Sequence, residues 1–248
     1  MLLIAAFWSI GELSGEIERS ASLDNFRLIA EEPVYRSIAG RTIAIAALVT
    51  VTDAILAFPL AFYMAKVATP RVRAALVVAV MLPLWSAYLV KAFAWRTILS
   101  QGGPLDWALE PFGLSGPGYG LTAVWLVMSY LWLPYMTIPI YAGLERIPDS
   151  LLNASEDLHA RPGYTFRRVI LPLAFPAVVA GSIFTFSLTM GDFIAPSLVG
   201  SGEQFIGTTI FSTITTNLPL AAAFATVPIA VMVVYLLGAR RLGAFEHV

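Results

Sequence analysis

Five stretches of this chain are long and apolar enough to cross a bilayer, and they constrain its fold more than any other feature. They fall at about 40–65, 74–98, 119–142, 169–195 and 219–238, against the roughly 20 residues that a helical crossing needs. In lipid the backbone N–H and C=O groups must pair within the segment, so each stretch is expected to be a helix. Composition agrees: 58% of the residues are hydrophobic and 12% charged, where soluble domains carry about 25% charge, and the mean hydropathy is +0.78. The expected fold is all-α, a polytopic membrane protein with 1–248 forming one transmembrane domain. The chain has no cysteine, which excludes a disulfide framework and a thiolate metal site. A net charge of −1, with no basic run beyond Arg167-Arg168 and Arg240-Arg241, gives no sign of a nucleic-acid partner.

Lys and Arg distribute unevenly between the connections. Lys66, Arg71 and Arg73 follow the first stretch; Arg146, Arg161, Arg167 and Arg168 follow the third; Arg240 and Arg241 follow the last. The connections at 99–118 and 196–218 carry neither residue. The positive-inside rule makes the first group cytoplasmic and the second external, with Arg19, Arg27 and Arg36 on the external N-terminal segment as exceptions. In the external connection, Gly102-Gly103-Pro104 predicts a turn, and Leu105–Leu109 a short interfacial helix with Trp107 at headgroup depth.

The longest polar interruption in the second half is Pro148–Pro172. Leu151, Ala154, Ser155 and Leu158 recur at i, i+3, i+4 and i+7, which predicts a short helix with one narrow apolar or small face. Asp149 or Ser150 is expected to cap its start, and Arg161-Pro162-Gly163 to end it. A further helix is expected from near Tyr164 into the next span. Such a helix would either lie on lipid headgroups or be held by a partner.

The segment Asn153-Ala154-Ser155-Glu156-Asp157-Leu158-His159, followed by Phe166-Arg167-Arg168-Val169-Ile170-Leu171-Pro172, resembles the EAA loop, or coupling helix, of permease subunits of bacterial ATP-binding-cassette importers. The family pattern is E-A-A-x-x-x-G, about nine residues, then I/V-x-L-P. The resemblance runs through most of the chain. Pro83-Leu84-Trp85, Leu89–Trp95, Leu133-Pro134-Tyr135, Leu144-Glu145-Arg146-Ile147 and Gly191-Asp192-Phe193-Ile194-Ala195-Pro196 are similar to the spermidine/putrescine branch. The resemblance implies a cytoplasmic coupling loop over 148–172, with Leu151, Asn153, Ala154, Ser155, Glu156, Asp157, Leu158 and His159 meeting a cytoplasmic ATPase dimer. It also implies a second permease subunit, an external substrate-binding protein and a bacterial inner-membrane location, the N-terminal segment after residue 10 being external and the C-terminus cytoplasmic. Family members carry a full span just before a segment like Met1–Ile10, so those residues are expected to be the outer half of a truncated first span, beside five full ones. Two departures stand out: Asn153 replaces the usual Glu, and His159 the usual Gly. If that backbone position is left-handed, a non-Gly residue costs about 1–2 kcal/mol, or Gly163 takes the turn instead.

The chain has no G-x-x-x-x-G-K-[ST] motif, so energy for transport must come from another subunit. Only two histidines exist, His159 and His247; with no cysteine, neither a membrane zinc site nor a Ser-His nucleophile is expected, and no cofactor is implied. Asp53 and Asp192 lie within apolar stretches, where carboxylates are costly and usually functional. Asp192, with Phe186 near it and Trp125, Trp132 and Tyr135 along one face of the third stretch, is expected to line a path for an amine cation, each cation–π contact giving about 0.5–2 kcal/mol. Aromatics of this kind also pack inertly against neighbouring helices. Lys91 and Arg96 are expected to snorkel outward or pair with Asp53 or Asp192. Two other classes compete. An intramembrane aspartyl protease would use Asp53 and Asp192 as its carboxylate pair, but the run Thr189-Met190-Gly191-Asp192 departs from its G-x-G-D motif. A proton-coupled secondary transporter would show an inverted repeat, and none is visible.

Overall fold

A single helix runs for 30 residues from Pro33, where proline's fixed φ and missing N–H suit a first turn, and continues through a π-turn at Tyr63–Val67. The computed structural model describes residues 2–11, 17–19 and 21–241. In chain order its helices are α1 (Leu2–Ala5), α2 (Asp24–Glu31), α3 (Pro33–Phe62), α4 (Pro70–Trp85), α5 (Tyr88–Ile98) and α6 (Pro104–Leu109). There follow α7 (Leu121–Glu145), α8 (Asp149–Asp157), α9 (Pro162–Thr165), α10 (Leu171–Gly191), α11 (Ile194–Val199), α12 (Ile206–Thr213) and α13 (Leu218–Arg241). A second π-turn, Phe166–Ile170, joins α9 to α10. The described strands, β1 (Ser9–Ile10) and β2 (Ile17–Glu18), pair antiparallel. The all-α, polytopic architecture is the expected one. In the segment expected to be the outer half of a first span, α1 covers only Leu2–Ala5 before the chain enters β1.

Among the described residues four continuous helical segments, Pro33–Val67, Leu121–Glu145, Pro162–Gly191 and Leu218–Arg241, are long and apolar enough to cross a membrane. The stretch expected to span at 74–98 is interrupted between α4 and α5, which together are long and apolar enough to make a fifth, broken span. Pro83 cannot donate to the helix ladder, and shortly past it Ser86 turns extended (φ −80°, ψ 144°). The Ser86 hydroxyl donates to the Pro83 carbonyl at 2.8 Å, satisfying one of the acceptors left over at the helix end. The stretch expected at 169–195 likewise ends early, at Gly191, and the chain re-enters a helix at Ile194.

The chain divides into two compact units. One comprises Met1–Leu48, Tyr88–Met128 and Ser187–Val234. In it Ala5 and Ala6 pack on Ala222 and Ala223, with Trp8, Phe26 and Ile29 around them. The Ile206 N–H donates to the Thr42 hydroxyl at 3.0 Å, and Arg41 donates to the Gln204 carbonyl at 3.2 Å. In the 99–118 connection, Asp106 accepts from the backbone N–H groups of Gly102 and Gly116 at 2.7 and 2.6 Å, pinning the loop to α6, from which Trp107 projects exposed.

The other unit comprises Val49–Ala87, Ser129–Phe186 and Tyr235–Val248. Its core sets the small side chains Ala57, Ala61 and Ala65 of the α3 segment against Met136, Ile140 and Leu144 of α7, with Ile147, Ile170 and Ala174 closing it. Both rows repeat every four residues, the spacing that keeps side chains on one helix face. Small residues let the helices approach closely, which drives helix association where lipid offers no hydrophobic gain. A Cβ added at Gly143 of α7 would overlap that of Ala177 on α10, and one at Gly181 would meet the Met136 sulfur at 2.8 Å.

Candidate coupling site

Only Arg146, Ile147 and Pro148 separate α7 from α8, so α8 leaves the end of α7 almost at once. Its N-cap is Pro148, and no side chain bonds the exposed N–H groups of the first turn. The expected cap from Asp149 or Ser150 is therefore not formed, because the Asp149 carboxylate is engaged elsewhere: it accepts from Lys66 Nζ at 2.9 Å. The hydrogen bond from Lys66, and then its charge, hold the Asp149 carboxyl below the ordinary carboxylate range. A depressed pKa contributes stability that is complete above the unfolded value of 3.8 and is lost as pH falls through the lower folded value. The ion pair is thus intact across the neutral range.

The C-terminus of α8 closes in a left-handed cap. Ala160 N–H donates to the Ser155 carbonyl at 3.1 Å and His159 N–H to the Glu156 carbonyl at 2.8 Å, the paired bonds that satisfy the last carbonyls of a helix. His159 has φ 56°, and among the described residues it is the non-glycine with positive φ. The chain therefore takes its turn at the position where the family pattern has Gly. Gly163 lies inside α9 instead. Histidine tolerates this region better than most residues, and its Nδ1 lies 3.1 Å from the Asp157 carbonyl oxygen.

The contacts of α8 fix which way it faces. Ser155 is buried (8% exposed) and shares a 2.7 Å hydrogen bond with the Thr165 hydroxyl of α9, while Leu152 packs on the core. Of the four residues expected on one narrow face, Ser155 turns inward; Leu151, Ala154 and Leu158 turn outward, Leu158 being 84% exposed. They border an open groove of about 620 Å³ that Tyr164 and Val169 also line. Asn153, Glu156, Asp157 and His159 stand exposed on the same short helix and its cap. The result is an anchored helix presenting apolar side chains flanked by two acids.

The side chains expected along a substrate path are placed differently from one another. Tyr135 is exposed and Trp125 half-buried. Trp132 is buried, and Phe186 is buried and stacked on Tyr235 with ring centroids 5.0 Å apart. Asp192, 8% exposed, lies in the break after α10. It accepts from the Tyr88 hydroxyl at 2.5 Å and from the backbone N–H groups of Ile194 and Ala195 at 2.9 and 3.3 Å. These donors, none of them Lys91 or Arg96, satisfy its carboxylate. A signal was present in the sequence, since Asp commonly accepts from the backbone N–H two residues on; the Tyr88 partner had none.

Asp53 is fully buried, with the Ser129 hydroxyl beside its carboxylate. The aspartyl-protease alternative finds no support: Asp53 is sealed from water, and the oxygens of Asp192 are committed to structural donors. Among the described residues no three His, Asp or Glu side chains are grouped to hold a metal ion; His247 lies outside them.

Fold and site together define a polytopic helical membrane component with a short, anchored helix that exposes apolar side chains. The chain belongs to the family of binding-protein-dependent transport system inner membrane components, whose pattern it matches over residues 46–244. It is a permease component of an ABC importer, in a multi-pass, inner-membrane class. Across 262 aligned positions it is 44% identical to the inner membrane ABC transporter permease protein YdcU of Escherichia coli K12, covering 99% of this chain and 83% of that one. It is 32% identical to the spermidine/putrescine transport system permease protein PotB of Haemophilus influenzae, over 70% of this chain and 62% of that permease, less than two thirds of its length. Its fold is similar to a chain of a bacterial ABC transporter involved in the import of the acidic polysaccharide alginate, with TM-score 0.76, 17% identity, and 97% and 86% of the two chains covered. A chain of the MetNI methionine ABC transporter, in an inward facing conformation, matches with TM-score 0.64, 16% identity, and 84% and 94% covered.

Proposed function

We propose that this permease imports a polyamine or similar small organic cation by alternating access, driven by a cytoplasmic ATPase dimer that docks on α8. The observation that carries the docking role is the anchored helix whose Leu151, Ala154 and Leu158 face outward. An apolar strip on a short polar helix gains little from water and suits a protein partner. A second permease subunit and an external substrate-binding protein complete the assembly. Support for the binding protein comes from a structural relative, the alginate ABC transporter in complex with its periplasmic protein. The substrate class rests on the spermidine/putrescine permeases among the sequence relatives. Trp125 and Tyr135, which keep exposed ring surface, are the aromatics proposed to meet an amine. Asp192, Trp132 and Phe186 serve by holding the helices in place. The test is uptake into proteoliposomes bearing the complex purified with its natural partners. Labelled putrescine or spermidine should accumulate only with ATP and the binding protein. Accumulation of a neutral solute that excess polyamine fails to compete with would overturn the substrate class.

We place α8 and the C-terminus in the cytoplasm and the 99–118 and 196–218 connections outside, on the Lys/Arg asymmetry. The cysteine-free sequence permits single-cysteine mapping at the exposed positions Ser115, Ser201 and Asn153. An impermeant thiol reagent applied to intact cells should label Ser115→Cys and Ser201→Cys and spare Asn153→Cys. External labelling of Asn153→Cys would reverse the orientation.

A further inference from the structure

The link between α7 and α8 is held by a residue far from it in sequence. Lys66 Nζ donates to the Ile147 carbonyl at 2.6 Å as well as to Asp149 at 2.9 Å. The Lys66 side chain is 10% exposed, while that of Asp149 is 80% exposed, so the lysine is the built half of the contact and the carbonyl its buried acceptor. The Ile147 side chain packs in the same core as Ala61 and Ala65, directly before Lys66. Arg73 of α4 adds a bond to the Ala65 carbonyl at 3.2 Å and a longer one to Glu145 at 3.5 Å, so the end of α7 and the end of the α3 segment are tied twice.

The backbone around Lys66 is specialised for this. Tyr63–Val67 is a π-turn, closed by Ala68 N–H donating to the Tyr63 carbonyl at 2.8 Å. Such turns are rare and concentrate at functional sites. One residue more or less in a helix rotates the following side chains by about 100°, so a plain α-helical end would aim the lysine elsewhere. With no side-chain cap on α8, the polar contact at the α7–α8 link comes from Lys66, beside the core packing of Ile147.

We infer that Lys66 is the positioning residue of the coupling helix: by clamping the Ile147 carbonyl and Asp149 it transmits displacement of α8 to the end of α3, in addition to the covalent route through α7. This rests on the proposal that α8 docks the ATPase. A Lys66→Met chain keeps the apolar stem and loses both bonds; Lys66→Arg keeps charge and donors. In proteoliposomes of the complete complex, Lys66→Met should retain ATP hydrolysis while molecules imported per ATP fall about three- to tenfold, within the range that residues along a coupling route command. Lys66→Arg should recover most of the ratio, and Asp149→Asn should lower it less than Lys66→Met, because the Ile147 bond remains. A nitroxide on Asn153→Cys should become more mobile in Lys66→Met and not in Lys66→Arg. A role confined to folding would lower yield and leave the ratio and label mobility of the assembled complex unchanged, and that result overturns the inference. If Lys66→Met fails to assemble, Lys66→Gln, which keeps one donor without charge, is read by the same ratio. Leu158→Arg separates the two claims. If Leu158→Arg releases the ATPase while Lys66→Met keeps the parental ratio, the positioning role alone falls. If both variants transport normally, the docking proposal falls and takes this inference with it.

Discussion

Replacing Leu158 with arginine should abolish ATP-driven uptake and binding-protein-stimulated ATP hydrolysis, while the chain inserts and accumulates normally. The two halves of this expectation have separate causes. Leu158 is 84% exposed, so within the chain the change is a surface substitution, worth about 0.5 kcal/mol or less. Against a docked ATPase the same side chain would be buried, and an unpaired charge there costs about 3–5 kcal/mol, or roughly two to three and a half powers of ten in affinity. Glu156 and Asp157 are within a turn and exposed, so part of that cost is recoverable by a local pair, which sets the lower end of the range. Co-purification of the ATPase with tagged permease, followed by coupled uptake, reads the result. Unchanged retention and uptake would show that α8 is not the docking element.

Asp192→Ala should destabilise the folded chain severely, lowering its stability by about 3–5 kcal/mol. The carboxylate is the acceptor for the Tyr88 hydroxyl and for two backbone N–H groups at the start of α11. Removing it strands up to three donors, each buried orphan costing about 1–3 kcal/mol. Asp192→Asn keeps an oxygen for the two N–H groups and should cost about 1 kcal/mol, since only the charge-assisted bond to Tyr88 is weakened. Thermal unfolding of the detergent-solubilised complex should therefore rank parent, Asn, Ala, with uptake following the same order. If Asp192→Asn instead loses uptake as completely as Ala at parental stability, the charge acts on the cargo and the joint with Tyr88 is secondary.

Hydropathy and charge asymmetry are one-dimensional quantities, and what depends on them alone was legible in the sequence: helices across lipid, the class of protein, and the short helix within 148–172. Lipid leaves the backbone no other partner, so an apolar run of sufficient length has one structural outcome. A left-handed turn after the short helix was legible too, because a glycine in the pattern marks a backbone geometry, but only the structure placed it at His159 and not at Gly163. Facing and pairing were not. The spacing of Leu151, Ala154, Ser155 and Leu158 defines a helix face but not whether core or partner covers it; Leu152 and the Ser155–Thr165 bond decided that. Lys66 finds the Ile147 carbonyl 81 residues away, and Tyr88 finds Asp192 104 residues away. A donor's hydrogen-bonding capacity is local chemistry, but its acceptor is chosen by which backbones the packed helices bring within about 3 Å. The interruption after Pro83 has the same origin: proline weakens the ladder everywhere in a helix, yet α7 continues unbroken through Pro134 and Pro139. Only the surrounding packing, and a hydroxyl such as Ser86 placed to take the freed carbonyl, decides where weakening becomes an end.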